Sequence, residues 1–161
     1  MKSVLSPEAQ AFSNLLSKYN FDTFGTFTTR RPLSLPGARR MAERFAVKIN
    51  AGQTTSMFWA AEPFDTREGF HFHGLLKLGG FYTPTDLWQY WTNEMKYGRS
   101  QFLPVSRKFG TNAVENYCAK YISKHLSDYD IYIGVQPHLG GTKTGVPERP
   151  EYIKPFEKWN L

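Results

Sequence analysis

The chain has 161 residues, enough for one domain with a hydrophobic core and too few for two domains of ordinary size. Apolar residues make up 40% of the chain and aromatic residues 16%, a composition that excludes a disordered protein. Lys and Arg outnumber Asp and Glu by 20 to 14, and this basic excess suits a polyanionic partner without identifying one.

The sequence carries no sign of secretion or of membrane insertion. Cys118 is the only cysteine, so no internal disulfide can form, which fits a reducing compartment. The N-terminal segment MKSVLSPEAQ lacks the apolar stretch of a signal peptide, and no run approaches the ~18 apolar residues of a membrane span. We therefore expect a soluble, cytoplasmic protein with no membrane partner.

Nine elements are predicted, in the order helix and then β-α-β-β-α-β-α-β. The predicted helices cover about residues 7–18, 38–49, 85–96 and 113–125, and the predicted strands cover residues 21–29, 55–62, 70–78, 101–106 and 129–134. This order predicts a single α+β domain: a central five-stranded antiparallel sheet with flanking helices, two of them packed on one face. We expect the core of the domain at residues 21–134, followed by an irregular C-terminal tail at 135–161.

The segment FHFHGLLKL, residues 70–78, holds two of the four histidines one residue apart in a predicted strand. Residues two apart on a strand point to the same side, so His71 and His73 share a face and can converge on one ion. Phe72 and Leu76 point the other way, toward packed helices. The strand thus has a core face and a face suited to metal binding, although a His-x-His pair alone is more often two hydrogen-bonded surface histidines.

A third ligand is expected, because two imidazoles rarely hold a metal alone. Segments 55–62 and 70–78 predict a hairpin, and if Glu62 lies opposite His71, both side chains share one face. Glu68 is the alternative carboxylate, but it has the wrong parity for that face and lies in the predicted turn, so we prefer Glu62. Two imidazoles and a carboxylate, without a thiolate nearby, favour a labile Mn²⁺ or Mg²⁺ over a structural Zn²⁺.

The second informative segment is NYCAKYISKH, residues 116–125. Tyr117 and Tyr121 are four residues apart, so they share one face of the predicted helix, and Lys120 and Lys124 fall on the same side. Tyrosines at this spacing usually pack in a core. Here the apolar residues lie on the opposite side of the helix, so this face is suited to an anionic partner.

A tyrosine hydroxyl can act as a nucleophile, but its ordinary pKa of ~10 leaves it mostly protonated at neutral pH. It therefore needs an activated electrophile. A bound metal would polarise a phosphate, and lysines would neutralise the phosphate oxygens as charge develops. Metal ligands, paired tyrosines and interleaved lysines together indicate phosphate chemistry.

Three motifs, in this order, resemble those of the HUH endonucleases, specifically the rolling-circle replication initiators (Rep proteins). FGTFTTRRP, residues 24–32, looks like the first motif of that family, and HFHGLL is similar to its His-hydrophobic-His motif. YCAKYISK, residues 117–124, resembles the catalytic motif Y-x-x-K and contains it twice. The resemblance covers residues 21–134 and implies the family's fold, an antiparallel sheet related to ferredoxin-like and RNA-recognition domains.

The resemblance implies a role for each matching residue. His71, His73 and Glu62 would bind the divalent metal. Tyr117 would attack the scissile phosphate of single-stranded or hairpin origin DNA and stay linked to the 5′ end, leaving a free 3′-OH. Tyr121 would support a second transfer in members that use two tyrosines. In one-tyrosine members only one acts, and the YCAK sequence at Tyr117 matches that motif better.

The implied protein is a metal-dependent, strand-specific DNA nickase and ligase, encoded by a phage, plasmid or virus. No phosphate-binding loop of the form G-x-x-x-x-G-K-[ST] occurs, so the chain resembles the nuclease domain alone, and a host helicase would unwind the DNA. The alternatives are an HUH transposase or relaxase, a non-catalytic RNA-recognition-like module, and an unrelated metal-binding protein. The module predicts aromatic residues where His71 and His73 stand, and the last alternative leaves the tyrosine-lysine face unexplained.

Basic residues near the predicted site are candidates for phosphate contacts, which would make DNA affinity depend on salt. For any single one of them, a solvated surface charge is the commoner role. The candidates for DNA binding are Arg30, Arg31, Arg39, Arg40, Arg107 and Lys108.

Overall fold

The computed structural model describes residues 5–105 and 128–134. The described helices are α1 (Pro7–Ser17), α2 (Leu35–Lys48) and α3 (Pro84–Trp88), and α3 continues into a π-helical segment, Gln89–Glu94. The described strands are β1 (Thr23–Thr28), β2 (Ser56–Pro63), β3 (Phe70–Lys77), β4 (Ser100–Pro104) and β5 (Tyr129–Tyr132). The helix predicted at 113–125 and the tail predicted from residue 135 lie outside the described residues. Within the described ranges, no helix is long and apolar enough to cross a membrane.

The five strands form one antiparallel sheet in the order β4-β1-β3-β2-β5. Strands β1 to β4, together with α2 and α3, follow the β-α-β-β-α-β arrangement, and their order is consistent with a ferredoxin-like fold. The predicted class, α+β with a five-stranded antiparallel sheet and flanking helices, is confirmed. The histidine strand β3 occupies the centre of the sheet, between β1 and β2.

One face of the sheet packs against α2, α3 and the π-helical segment, as predicted for two helices on one face. Phe72 of β3 stacks on Phe27 of β1 with 5.3 Å between ring centroids, and Trp91 meets Phe27 edge-on at 4.7 Å. The indole N–H of Trp91 donates to the carbonyl oxygen of Thr28 at 2.9 Å. This hydrogen bond gives the N–H of Trp91, the polar group of a fully buried side chain, an acceptor.

The other face of the sheet carries α1, which the sequence had not placed. Leu16 of α1 packs in a smaller apolar cluster with Phe58 of β2 and Leu75 of β3. Neither Glu62 nor His71 belongs to that cluster. The helix therefore covers the part of this face around Leu75, and its apolar cluster extends to Ala60 and Phe24, which flank His73.

The helix predicted over 85–96 differs from the structure in its second half. It begins with a capping box, in which Thr83 and Asp86 exchange side-chain to backbone hydrogen bonds. From Gln89 it is π-helical, and the N–H of Met95 donates to the carbonyl oxygen of Tyr90, five residues earlier, at 2.8 Å. The predicted helix is therefore present, and the spacing of Leu87 and Trp91, which are both buried, does not reveal the wider turn of its second half.

Candidate metal centre

The β2–β3 hairpin brings the predicted ligands together. Glu62 is the register partner of His71, and Ala60 is the partner of His73. Opposed residues of an antiparallel pair share a face, so the three side chains project to one side of the sheet. The predicted pairing of Glu62 with His71 is confirmed, and Ala60, the partner of His73, is buried.

Three atoms converge at this place. The Oε2 atom of Glu62 lies 2.7 Å from Nε2 of His71 and 2.8 Å from Nε2 of His73. The two Nε2 atoms are 3.0 Å apart. These residues form a Glu/His/His group whose ligand atoms lie near enough to one another to bind a single metal ion.

Hydrogen bonding alone does not account for this triangle. Each Nε2 atom carries either one proton or one lone pair in the plane of its ring. A ring nitrogen that donates its proton to the other histidine has no second proton to donate to Glu62. A ring nitrogen that accepts from the other histidine has no lone pair left for a second hydrogen bond. At most two of the three contacts can therefore be hydrogen bonds at once. A cation between the three atoms would satisfy all of them, so the residues fit a metal.

The spacing also fits six-coordinate geometry. Metal–ligand bonds of about 2.1 Å at right angles separate adjacent ligand atoms by about 3.0 Å, close to the distances found here. Glu62, His71 and His73 would hold the ion as three protein ligands, and such an ion could still bind water or substrate. Two imidazoles and one carboxylate accommodate several divalent transition metals.

Burial and aromatic contacts hold the histidine rings in place. The side chain of His73 is 6% exposed and that of His71 is 19% exposed. Phe24 stacks on His73 with 6.1 Å between ring centroids, and Phe64 lies 5.0 Å from the His71 ring. Burial lowers the pKa of His73 below its ordinary value, against the opposing effect of its hydrogen bond to Glu62. The neutral imidazole, the form that binds metals, is therefore favoured.

Glu68, the alternative carboxylate, lies in the turn between β2 and β3 and is exposed. It does not belong to the Glu/His/His group. The parity argument that preferred Glu62 therefore agrees with the placement of both side chains.

The predicted DNA-binding arginines divide into two groups. Arg30, Arg31 and Arg40 are exposed. Arg39 instead holds α2 against β5: its guanidinium makes two bonds of 2.6 Å to Asp128 and one of 2.8 Å to Asp130. Its remaining donors reach Glu43 and the carbonyl oxygen of Tyr129. With all five donors engaged, a structural role is favoured for Arg39 over a contact with DNA.

The other predicted site residues lie outside the described residues. These are Tyr117, Lys120, Tyr121 and Lys124 of the predicted catalytic helix, together with Arg107 and Lys108 before it. Their roles stay predictions from the sequence.

Two contacts of the site were not predicted. Phe64 lies against His71, and the Arg67 guanidinium lies 3.8 Å from the centre of the Phe64 ring. Both residues belong to the segment PFDTREG, which we had assigned only as a turn. The sequence signal for these contacts is an aromatic residue and an arginine, three positions apart, in the hairpin turn before the His-x-His pair.

The class defined by fold and site is an α+β domain, consistent with a ferredoxin-like fold, that carries a candidate metal centre on its central strand. Comparison of the chain with protein-family models, curated proteins and solved structures found no significant match in any of the three.

Proposed function

We propose that the chain is a metal-dependent endonuclease and strand transferase for single-stranded DNA, of the kind its motifs resemble: an HUH rolling-circle replication initiator. The observation that carries this proposal is the convergence of Glu62, His71 and His73 through one oxygen and two nitrogen atoms. The fold gives further support, because a central antiparallel sheet is what the resemblance predicts. The sequence supplies the nucleophile and its lysines.

The metal of this proposal is Mn²⁺ or Mg²⁺. Both accept oxygen ligands and six-coordinate geometry, and the two imidazoles favour Mn²⁺. The bound ion would supply Lewis-acid polarisation of the scissile phosphate. Glu62 would contribute the negative charge of the site, while His71 and His73 would fix the position of the phosphate relative to the sheet.

The chain's own residues would carry the transfer. The hydroxyl oxygen of Tyr117 forms a bond to the scissile phosphorus and loses its proton, and the bond from phosphorus to the 3′ oxygen breaks. Water accepts the proton from Tyr117 and supplies one to the 3′ oxygen, which leaves as a free hydroxyl. Lys120 neutralises charge on the phosphate oxygens during this step. Tyr121 with Lys124 would attack a second scissile phosphate in the same way. The 3′ hydroxyl released there would then attack the Tyr117 phosphotyrosine, which joins the strand ends into a circle and returns the Tyr117 hydroxyl.

Exposed basic residues near the site are expected to bind the DNA backbone. Arg30 and Arg31 follow β1 closely, and Thr28 at the end of β1 is the register partner of His71. These two arginines therefore lie at the same end of the sheet as the metal group. The replicon's origin in single-stranded form is the proposed substrate, and a host helicase would supply that form.

Covalent adduct formation tests the proposal. The protein is incubated with Mn²⁺ and labelled single-stranded oligonucleotides that tile both strands of its own replicon, and the products are separated on a denaturing gel. We expect a DNA–protein adduct on one strand only, and none in EDTA. The absence of an adduct with every oligonucleotide would contradict the nuclease. DNA binding without an adduct, independent of metal, would favour the non-catalytic RNA-recognition-like module.

Point variants assign the nucleophile. Tyr117→Phe abolishes the adduct if this tyrosine acts first, and Tyr121→Phe then retains nicking but loses the second transfer. Adducts in both single variants, lost only in the double variant, would indicate interchangeable tyrosines. His73→Ala is expected to abolish the adduct, whereas Glu68→Ala, a carboxylate outside the metal group, is the matched control and should retain it.

A further inference from the structure

Three loops meet at the end of the sheet that carries the metal group. They follow β1, connect β2 to β3 and precede β4, as the antiparallel register requires. The N–H of Arg30 donates to the carbonyl oxygen of Tyr97 at 2.8 Å, which joins the first loop to the third. A Cβ atom at Gly69 would lie only 2.9 Å from Cα of Pro32, so the first and second loops are also in close contact.

This end of the sheet is positively charged. Its loops carry five exposed cations: Arg30, Arg31, Arg67, Lys96 and Arg99. They carry two exposed carboxylates, Asp65 and Glu68. No ion pair joins any of these side chains to another charged group within the described part of the chain. The excess charge is therefore available to an anionic ligand.

Arg67 is linked to the metal group through the ring of Phe64. Its guanidinium carbon lies 3.8 Å from the centre of the Phe64 ring, and that ring lies 5.0 Å from the His71 ring. The distance from the guanidinium carbon of Arg67 to the centre of the His71 ring therefore cannot exceed the sum of these two distances. A phosphate bound at the metal group would have this cation as a close neighbour.

The turn that carries Arg67 is closed and supported. The N–H of Phe64 donates to the carbonyl oxygen of Gly69 at 3.1 Å, and Gly69 adopts a φ of +99° that a residue with a side chain rarely tolerates. The contact with Pro32 fixes the same turn from outside. An arginine loses little additional conformational entropy on binding a ligand when its planar guanidinium already stacks on an aromatic ring.

We propose that Arg67 binds a phosphate of the single-stranded DNA next to the phosphate at the metal group, and that Phe64 positions its guanidinium for this contact. The inference rests on the proposed function for the identity of the ligand. Guanidinium groups bind phosphate oxygens through two parallel hydrogen bonds, which a lysine cannot reproduce. Arg67 is therefore a substrate-positioning residue that acts beside the metal and not through it.

Binding of DNA and binding of metal are measured separately to test this role. The probe is a fluorescein-labelled, mixed-sequence single-stranded oligonucleotide, titrated in EDTA at several salt concentrations and followed by fluorescence anisotropy. Arg67→Gln is expected to lower the affinity about tenfold, the effect of one lost charge-assisted contact. The slope of log K against log salt is expected to become shallower by about 0.7, the value for one phosphate of a single strand.

Lys77→Gln is the matched control. It removes one positive charge from the same strand as His71, six residues away, which is roughly 20 Å along a strand. We expect this variant to keep the wild-type salt slope. Arg67→Lys keeps the charge but loses the two parallel hydrogen bonds of the guanidinium. Phe64→Leu keeps the charge but removes its aromatic support. The DNA affinity of both variants should fall between the affinities of the wild type and of Arg67→Gln. Circular dichroism checks that each variant is folded.

Two results would overturn the proposal: wild-type affinity and salt slope in Arg67→Gln, or a loss of Mn²⁺ affinity in Arg67→Gln as large as its loss of DNA affinity. The second result would make the turn a support for the metal ligands only. A shallower slope in Arg67→Gln together with no adduct from the wild-type protein would contradict the nuclease and leave the Arg67 contact standing. An adduct from the wild-type protein together with an unchanged salt slope in Arg67→Gln would support the nuclease and contradict the Arg67 contact.

Discussion

Neighbouring residues of β3 have opposite characters at its histidine end, whereas Leu75, farther along the histidine face, is buried in the cluster with α1. On one face, Phe72 is fully buried among aromatic rings from β1, β2 and the π-helical segment. On the other, His71 and His73 meet a carboxylate in a triangle that hydrogen bonds alone cannot satisfy. The first arrangement stabilises the fold, whereas the second is explained by a ligand.

This difference teaches that adjacent positions of one strand can serve stability and function separately. A change at Phe72 should affect the free energy of unfolding, and a change at His71 or His73 should affect metal binding. The predictions below test whether the two faces are as independent as this comparison requires.

Phe72→Ala should give the largest effect on stability. The side chain is 0% exposed and contacts several rings, so its removal leaves a cavity and costs about 3–5 kcal/mol of unfolding free energy. His71→Ala, the neighbouring residue on the other face, should cost about 1 kcal/mol or less in metal-free buffer. Urea denaturation in EDTA measures both. Equal losses in the two variants would show that the faces are not independent.

Glu62→Ala should leave the fold intact and weaken Mn²⁺ binding. Residues that only support a metal ligand are worth ~10–100-fold in affinity, so loss of a direct ligand should cost about 100-fold or more. Glu68→Ala, an exposed carboxylate two residues before β3, is the control and should bind Mn²⁺ like the wild type. Isothermal titration with Mn²⁺ compares them. If only the change at Glu68 weakened binding, the assignment of the third ligand would be wrong.

Arg39→Met should give a smaller effect, confined to stability. The guanidinium holds α2 to β5 through Asp128 and Asp130, but its side chain is 27% exposed, which reduces the contribution to about 1–2 kcal/mol. Arg40→Met, next along the same helix and exposed, should change stability by ~0.5 kcal/mol or less. Thermal or urea denaturation of each variant measures the change in stability. Equal stability of the two variants would contradict the structural role of Arg39.

The sequence predicted the sheet and the metal group because both depend on short-range periodicity. The alternation in FHFHGLLKL places His71 and Phe72 on opposite faces, and the hairpin between β2 and β3 makes Glu62 the only carboxylate with the right parity. The same parity distinguishes Glu62 from Glu68 in the sequence. Local patterns of this kind survive because a register shift would move every side chain to the wrong face.

One feature that escaped prediction depends on contacts between distant segments. Arg39 looked like a candidate for DNA binding because its partners, Asp128 and Asp130, are about 90 residues away in the sequence. The π-helical segment was not predicted, since Leu87 and Trp91, both buried, have a spacing that is also compatible with an α-helix. In a charged surface helix, the residues alone do not distinguish an arginine that binds a carboxylate from one that binds a phosphate.

The central claim is that Glu62, His71 and His73 hold one divalent ion. The most direct measurement is a crystal structure of the protein grown with Mn²⁺, with an anomalous difference map collected near the manganese absorption edge. The account predicts one strong peak about 2.1 Å from Oε2 of Glu62 and from Nε2 of both histidines. A map with no peak at this position, or with the peak at other residues, would contradict it.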